Sequence, residues 1–275
     1  MRIFVATLRK LVRRPASFVT LGLLIGLLAL ILIAVSATAS QADAGPQQRQ
    51  GLLLVTFPGA YTIILSFILG LGGLFAVIYG AAVAGSEWTW GTLKSAVARG
   101  ESRSRYQLLS FAAIALMIGI GMLLAFAVGI AVAVVGANIA GVSAAGLGDS
   151  KTLGTLPELL GKGWLAIVEE GALGFAIATL ARSQLAGIGA GIAFFFGEQF
   201  ASLFLPDVVK YLPFNAANAI VTTPGEGGFS GGGGGGGGPD VTSLAPDQAL
   251  LVVLAWLVGA IAVSTLFPVR AEISG

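Results

Sequence analysis

The sequence predicts an all-α integral membrane protein built on six transmembrane helices. Three observations predict it. Hydrophobic residues make up 56% of the 275 residues and charged residues only 10%, against about 25% charged in soluble domains. Six apolar stretches are each about as long as the roughly 20 residues a helix needs to cross a bilayer. The stretches 18–36 and 107–137 contain no charged residue at all. A spanning segment must satisfy its own backbone hydrogen bonds, which a helix does.

The elements follow in order. Residues 1–16 read as an amphipathic helix, with Ile3, Phe4, Leu8, Leu11 and Val12 toward one side and Arg2, Arg9, Lys10, Arg13 and Arg14 toward the other. Such a helix suits a membrane interface and anionic lipid. Pro15 separates it from span one, 18–36, which is too long for a signal-peptide core and is expected to be retained. A polar loop, 37–53, precedes span two, 55–84, whose length suggests tilt or an extension past the bilayer. A polar, basic connection, 85–106, leads to span three, 107–137. Spans four and five, 163–181 and 185–204, are joined by a tight turn at Arg182-Ser183-Gln184. A long connection, 205–247, carries an apolar piece from Val208 to Val221 and a Gly-rich linker containing the run 231–238. Span six is 249–267. The whole chain, 1–275, reads as a single transmembrane domain.

Orientation follows from the lysines and arginines. With the N-terminus inside, eleven fall on the cytoplasmic side and four (Arg49, Lys151, Lys162, Lys210) opposite, while seven acids lie outside. Both termini are therefore expected in the cytoplasm, and the cell membrane is the expected location. The net charge of +2 gives no reason to expect a nucleic-acid partner. Cysteine and histidine are absent. Disulfides, thiol chemistry, imidazole acid–base work and the usual zinc sites are thereby excluded.

The connection after span two is the most informative segment. It reads Ser86-Glu87-Trp88-Thr89-Trp90-Gly91-Thr92-Leu93-Lys94 and continues through Arg99 to Ser102, Arg103, Ser104, Arg105 and Tyr106. Its amphipathic mixture suits either a Trp-anchored interfacial segment or a docking element for a partner. The acidic residue followed by Gly91-Thr92-Leu93 and a basic Ser-Arg stretch resembles the membrane (permease) subunit of type-2 ABC transporters. Ala181-Arg182-Ser183 and Tyr211-Leu212-Pro213 add to the resemblance, as does the six-span layout. Ser110-Phe111 departs from it, since relatives often carry a Lys there.

The resemblance implies a transmembrane subunit of an ATP-driven exporter. The connection 85–106 would be a cytoplasmic coupling segment seated on a separate nucleotide-binding ATPase subunit. Glu87, Gly91, Thr92, Arg99, Arg103 and Arg105 become candidates for contact or coupling. A second membrane subunit would complete a homodimer or heterodimer. The resemblance also implies an outer re-entrant loop at Tyr211, Pro213 and Phe214. The residues themselves leave a bilayer-interface loop equally open.

No phosphate-binding loop of the form G-x-x-x-x-G-K-[ST] is present. The nearest approach, LPELLGKG at 156–163, lacks the first Gly and the final Ser or Thr. No cofactor is therefore expected in this chain, and it is not itself an enzyme. ATP and Mg would belong to the partner.

Glu169, Glu170 and Glu198 fall within predicted spans, where a carboxyl costs on the order of 2.5–3.5 kcal/mol. They are candidates for a transport path. The alternative is a structural polar contact between helices, or protonated carboxyls paired with Gln199 or a backbone carbonyl. Two further function classes remain: a proton-coupled secondary transporter using these acids, and a non-transporting membrane anchor. Glycines in the spans suggest close helix packing, with Gly187 and Gly191 placed either within one subunit or between two.

Overall fold

The computed structural model describes residues 2–40, 51–221 and 244–270. The Gly run 231–238, Arg49, Asp43, Glu226 and Asp240 lie outside the described residues. Among the described residues the regular structure is entirely helical. Six helices are long and apolar enough to span a membrane, which makes the chain a multi-pass membrane protein.

The chain begins with α1 (Arg2–Val12) and turns through an extended Arg14 into α2 (Pro15–Ala39). Pro15 stands at the first helical position, where its missing N–H costs nothing. The N-terminal helix therefore ends at Val12, short of the expected residue 16. After a 3₁₀ turn over Gly51–Leu54, α3 runs from Gly59 to Thr89. It starts later than the expected residue 55 and continues five residues past the expected end at 84. The polar run Gly85-Ser86-Glu87-Trp88-Thr89 lowers the hydropathy, but Ser86 and Glu87 find partners on α1 and on the residues that follow, and the helix continues.

A short helix, α4 (Thr92–Ala98), follows Gly91, whose φ of 62° is the left-handed turn that glycine adopts without strain. Ser102 then caps α5 (Arg103–Ile139) by accepting the Arg105 N–H at 3.3 Å. Its 37 residues reach about 55 Å, well beyond a 30 Å hydrocarbon core.

The fourth span differs most from expectation. The helix α6 (Ser150–Ala181) begins thirteen residues before 163. Asp149 starts it, accepting the Thr152 N–H at 2.9 Å and the Thr152 hydroxyl at 2.6 Å. These bonds hold the Asp149 carboxyl below its ordinary range. The first turns are amphipathic rather than apolar, with Glu158 paired to Lys162 at 2.6 Å, so hydropathy alone misses them. Arg182, at φ 51°, ends α6, and Ser183 caps α7 (Gln184–Ser202) through the Ala186 N–H. The expected tight turn is present. Two short helices, α8 (Pro206–Val209) and α9 (Pro213–Val221), occupy part of the expected loop 205–247, and α10 (Pro246–Arg270) closes the chain.

The centre of the bundle is α3 against α6, with α2, α5, α7 and α10 around them. In their most apolar windows α3 and α6 are 67% and 72% buried, against 17–33% for the other four spans. Glycines make this contact. A Cβ on Gly80 would run into the Gly171 carbonyl, and one on Gly174 into the Val77 carbonyl. The helices therefore meet backbone to backbone. Gly187 and Gly191 close on Ala178 and Val77 of the same chain, so the packing is within one subunit. One apolar cluster (Tyr61, Ile64, Phe126, Ile220) fills the half near the N-terminus of α3. A second (Leu11, Tyr79, Phe111, Phe175) fills the half near its C-terminus.

Gly174→Val is expected to destabilise the protein by about 3 kcal/mol or more, because backbone cannot yield to the added side chain. Gly22 has nothing within 4 Å of its Cβ position, and Gly22→Ala should be neutral or slightly stabilising. Thermal unfolding of both variants in detergent checks the contrast.

Candidate functional site

Most of the basic residues gather at one end of the bundle, where α1, the C-terminus of α3, α4 and the N-terminus of α5 meet. Glu87 is at the centre of this end. It is only 1% exposed. Lys10 of α1 donates to Glu87 Oε1 at 2.5 Å. Tyr106 of α5 donates its hydroxyl hydrogen to Oε2 at 2.5 Å, and the Thr92 hydroxyl at the start of α4 bonds the same oxygen. One carboxylate thus ties four helices. An ionised carboxylate only accepts hydrogen bonds, and these donors occupy both its oxygens. Beside it, Arg14 donates to Ser86 Oγ at 2.7 Å.

Aromatic rings cover the arginines. Arg14 lies over the Trp90 ring at 5.0 Å, and Lys10 over the same ring at 5.9 Å. Arg182 lies 5.4 Å from both the Trp88 and Phe267 rings. Arg103 donates to the Pro268 carbonyl at 2.7 Å, fastening α5 to the end of α10. Each of the cation–ring contacts is favourable by about 1 kcal/mol.

The residues singled out from the sequence therefore divide. Glu87, Thr92 and Arg103 are internal ties. Gly91 forms the turn. Arg99 and Arg105 are exposed, as are Ser95 and Ser102. Trp90 is 63% exposed. Leu93 and Ala96 bury the inner face of α4, so that the helix presents its polar face outward. Sequence reasoning missed Lys10, Arg14 and Tyr106 as partners of this segment. Lys10 lies 77 positions from Glu87, and nothing local signals the pairing. The one available signal is chemical: a carboxylate at the end of an apolar helix demands a cation.

The three acids within the spans also divide. Glu198 of α7 accepts the Asn215 backbone N–H at 2.6 Å, the Asn215 Nδ2 at 2.7 Å and the Phe214 N–H at 3.3 Å. Its partners are thus neither Gln199 nor a carbonyl. It caps the free amides at the start of α9. Glu169 and Glu170 of α6 are buried, each with its Oε2 unpartnered. Glu170 lies against Gly73 of α3, where a Cβ would collide with the carboxyl. Both lie within electrostatic reach of Glu198. Among the described residues no three acids come close enough to hold a metal ion.

After α7 the chain turns back into the bundle. Pro213 starts α9, and Phe214, 1% exposed, packs with Val77, Leu173, Phe194, Phe195 and Trp256. Val77 is twelve residues from Thr89, about 18 Å along the helix, so Phe214 sits deep in the bundle. Tyr211 is half exposed, and its carbonyl accepts the Trp256 Nε1–H at 3.0 Å. No protein-family model matches the chain, and no curated protein matches it.

Glu87→Ala leaves the Tyr106 and Thr92 hydroxyls and Lys10 without their acceptor, and should cost about 2–4 kcal/mol. Glu87→Gln should cost less, since one accepting oxygen remains. Denaturation in detergent with limited proteolysis of 90–102 checks both. Glu198→Ala should weaken the start of α9 by about 1–2 kcal/mol. The chain has no cysteine, so a single Asn218→Cys reporter will label faster in the Glu198→Ala background.

Proposed function

We propose that the chain is the transmembrane subunit of an ATP-driven ABC transporter of the type-2 exporter class. The observation that supports this most directly is α4. It is a short helix between two spans, clamped from inside by Glu87, with Trp90 and Arg99 exposed in its flanking turns and Arg105 exposed at the start of α5. A rigid partner pressing on α4 would transmit force to α1, α3 and α5 together, because one carboxylate joins them. On this reading α4 with its flanking turns is a cytoplasmic coupling segment. Both termini are cytoplasmic, and the chain resides in the cell membrane. The amphipathic α1 lies along the same surface.

The nucleotide-binding subunit is a separate ATPase that holds ATP and Mg, consistent with the lack of a phosphate loop in this sequence. A second membrane subunit completes the substrate path. Packing of α9, through Phe214, against Val77, Leu173 and Trp256 suits a re-entrant segment closing the outer side of that path. Closure of two ATPases on ATP would move the paired α4 helices and switch the path between its two openings.

A second reading rests on the unpartnered Oε2 atoms of Glu169 and Glu170. Two buried carboxyls, each with one oxygen unpartnered, suit a proton-coupled secondary transporter. That reading needs no ATPase.

The test is affinity purification of the tagged chain from its native membrane, with an ATPase assay. We expect a phosphate-loop ATPase in the complex. Arg99→Glu with Arg105→Glu should weaken its binding on the order of tenfold while moving stability by less than about 0.5 kcal/mol, since both side chains are exposed. Transport driven by a proton gradient without an ATPase, and lost in Glu170→Gln, would overturn the first reading in favour of the second. A stable complex without transport would make the chain an anchor.

A further inference from the structure

An apolar slot of about 300 Å³ opens on the flank of the bundle between α2 and α5, and α3 forms its back wall. None of its lining residues is charged. Its hydroxyls are already engaged. Thr20 Oγ1 donates to the Ala16 carbonyl at 2.9 Å, and Ser17 Oγ donates to the Leu11 carbonyl at 2.8 Å. The Tyr79 hydroxyl lies 3.0 Å from Ser17 Oγ, within hydrogen-bonding distance. The slot therefore offers hydrocarbon and nothing that requires a polar ligand.

Its dimensions and placement are specific. From Tyr79 to Ile68 the back wall rises about 16 Å, half the thickness of a bilayer's hydrocarbon core. The mouth is sideways, flanked by the exposed Phe18, Ile120 and Leu124. A guest enters it from the lipid phase.

One end of the slot is strongly basic. Val12 of α1 lines it, and Arg13 is the next residue. Arg9 in the last turn of α1 and Arg13, the residue after its end, are exposed, and α1 contains no acid. Glu87, the carboxylate paired with α1, is buried and bound to Lys10. Net positive charge therefore stands where a headgroup would emerge.

We propose that this slot binds one acyl chain of an anionic glycerophospholipid from the leaflet at the basic end, with the phosphate held by Arg9 and Arg13. The lipid wedges between α2 and α5 on the flank that also carries α1. This site does not depend on which energy source drives the protein.

The experiment uses the full chain, with any copurifying partner, in nanodiscs of phosphatidylcholine containing a phosphatidylglycerol whose acyl chain carries a diazirine. Photolysis and peptide mapping locate the label. We expect it to concentrate on residues 17–24 and 117–124, and to be displaced by unlabelled phosphatidylglycerol but not by phosphatidylcholine. Gly121→Leu puts a side chain into the slot, since a Cβ there already comes to 3.7 Å of Leu21 Cδ1. It should abolish the slot label while leaving labelling of other lipid-facing helices unchanged. Arg9→Gln with Arg13→Gln leaves the slot intact and should reduce the preference for phosphatidylglycerol roughly tenfold. This second variant decides the matter if Gly121→Leu does not fold. Label spread evenly over α7 and α10, displacement by phosphatidylcholine as effective as by phosphatidylglycerol, or unchanged preference in the double arginine variant would each overturn the proposal.

Discussion

The glycine contact between α3 and α6 is the constraint on which the other helices depend. With Gly80 against the Gly171 carbonyl and Gly174 against the Val77 carbonyl, the two helices approach until their backbones touch. In a bilayer the lipid is as apolar as leucine, so burial of leucine gives little reason for helices to associate. Close contact supplies dispersion instead, over many atom pairs. The central pair then presents fixed grooves to its neighbours. Leu24, Leu28 and Leu32 of α2 join the same core from one side. On another, α7 closes on Ala178 and Val77 through Gly187 and Gly191.

Charge is distributed on that frame according to depth. At the basic end, Glu87 has three donors and ties four helices. Its value there is positional. A lone carboxylate so buried would be expensive, while a fully partnered one fixes the register of α1, α4 and α5 against α3. Deeper in the bundle, Glu198 is likewise fully used, by the amides that open α9. Glu169 and Glu170 each keep one oxygen without a donor. That inequality separates carboxyls with an architectural task from carboxyls whose task the packing does not account for.

The basic end also combines two kinds of surface. Trp90, Arg99 and Arg105 face outward from the α3–α4–α5 connection, while Arg9 and Arg13 face outward from α1. The first group lies on a rigid elbow held by Glu87, and the second beside an apolar slot. A single region thus carries both an exposed basic and aromatic elbow and an apolar slot. Lys10, bound to Glu87, physically connects them.

The six spans, the N-terminal helix, the turn at Arg182 and the basic character of 85–106 were all legible in the sequence. Each depends on local composition: apolar length, alternating basic and apolar residues, or a cap. The early start of α6 at Ser150 and the continuation of α3 to Thr89 were not, because hydropathy counts polar residues against a helix whether or not they are capped or partnered. The partners of Glu87 and Glu198 were equally illegible. Lys10 is 77 residues from Glu87 and Asn215 is 17 from Glu198. By itself the sequence determined that the chain carries six segments long and apolar enough to cross a membrane and that one connection is basic and aromatic, since the cost of polar groups in hydrocarbon acts residue by residue. The tertiary structure decided which carboxyls are ties, which remain unpartnered and where a slot opens, because those depend on distances between helices that no local pattern encodes.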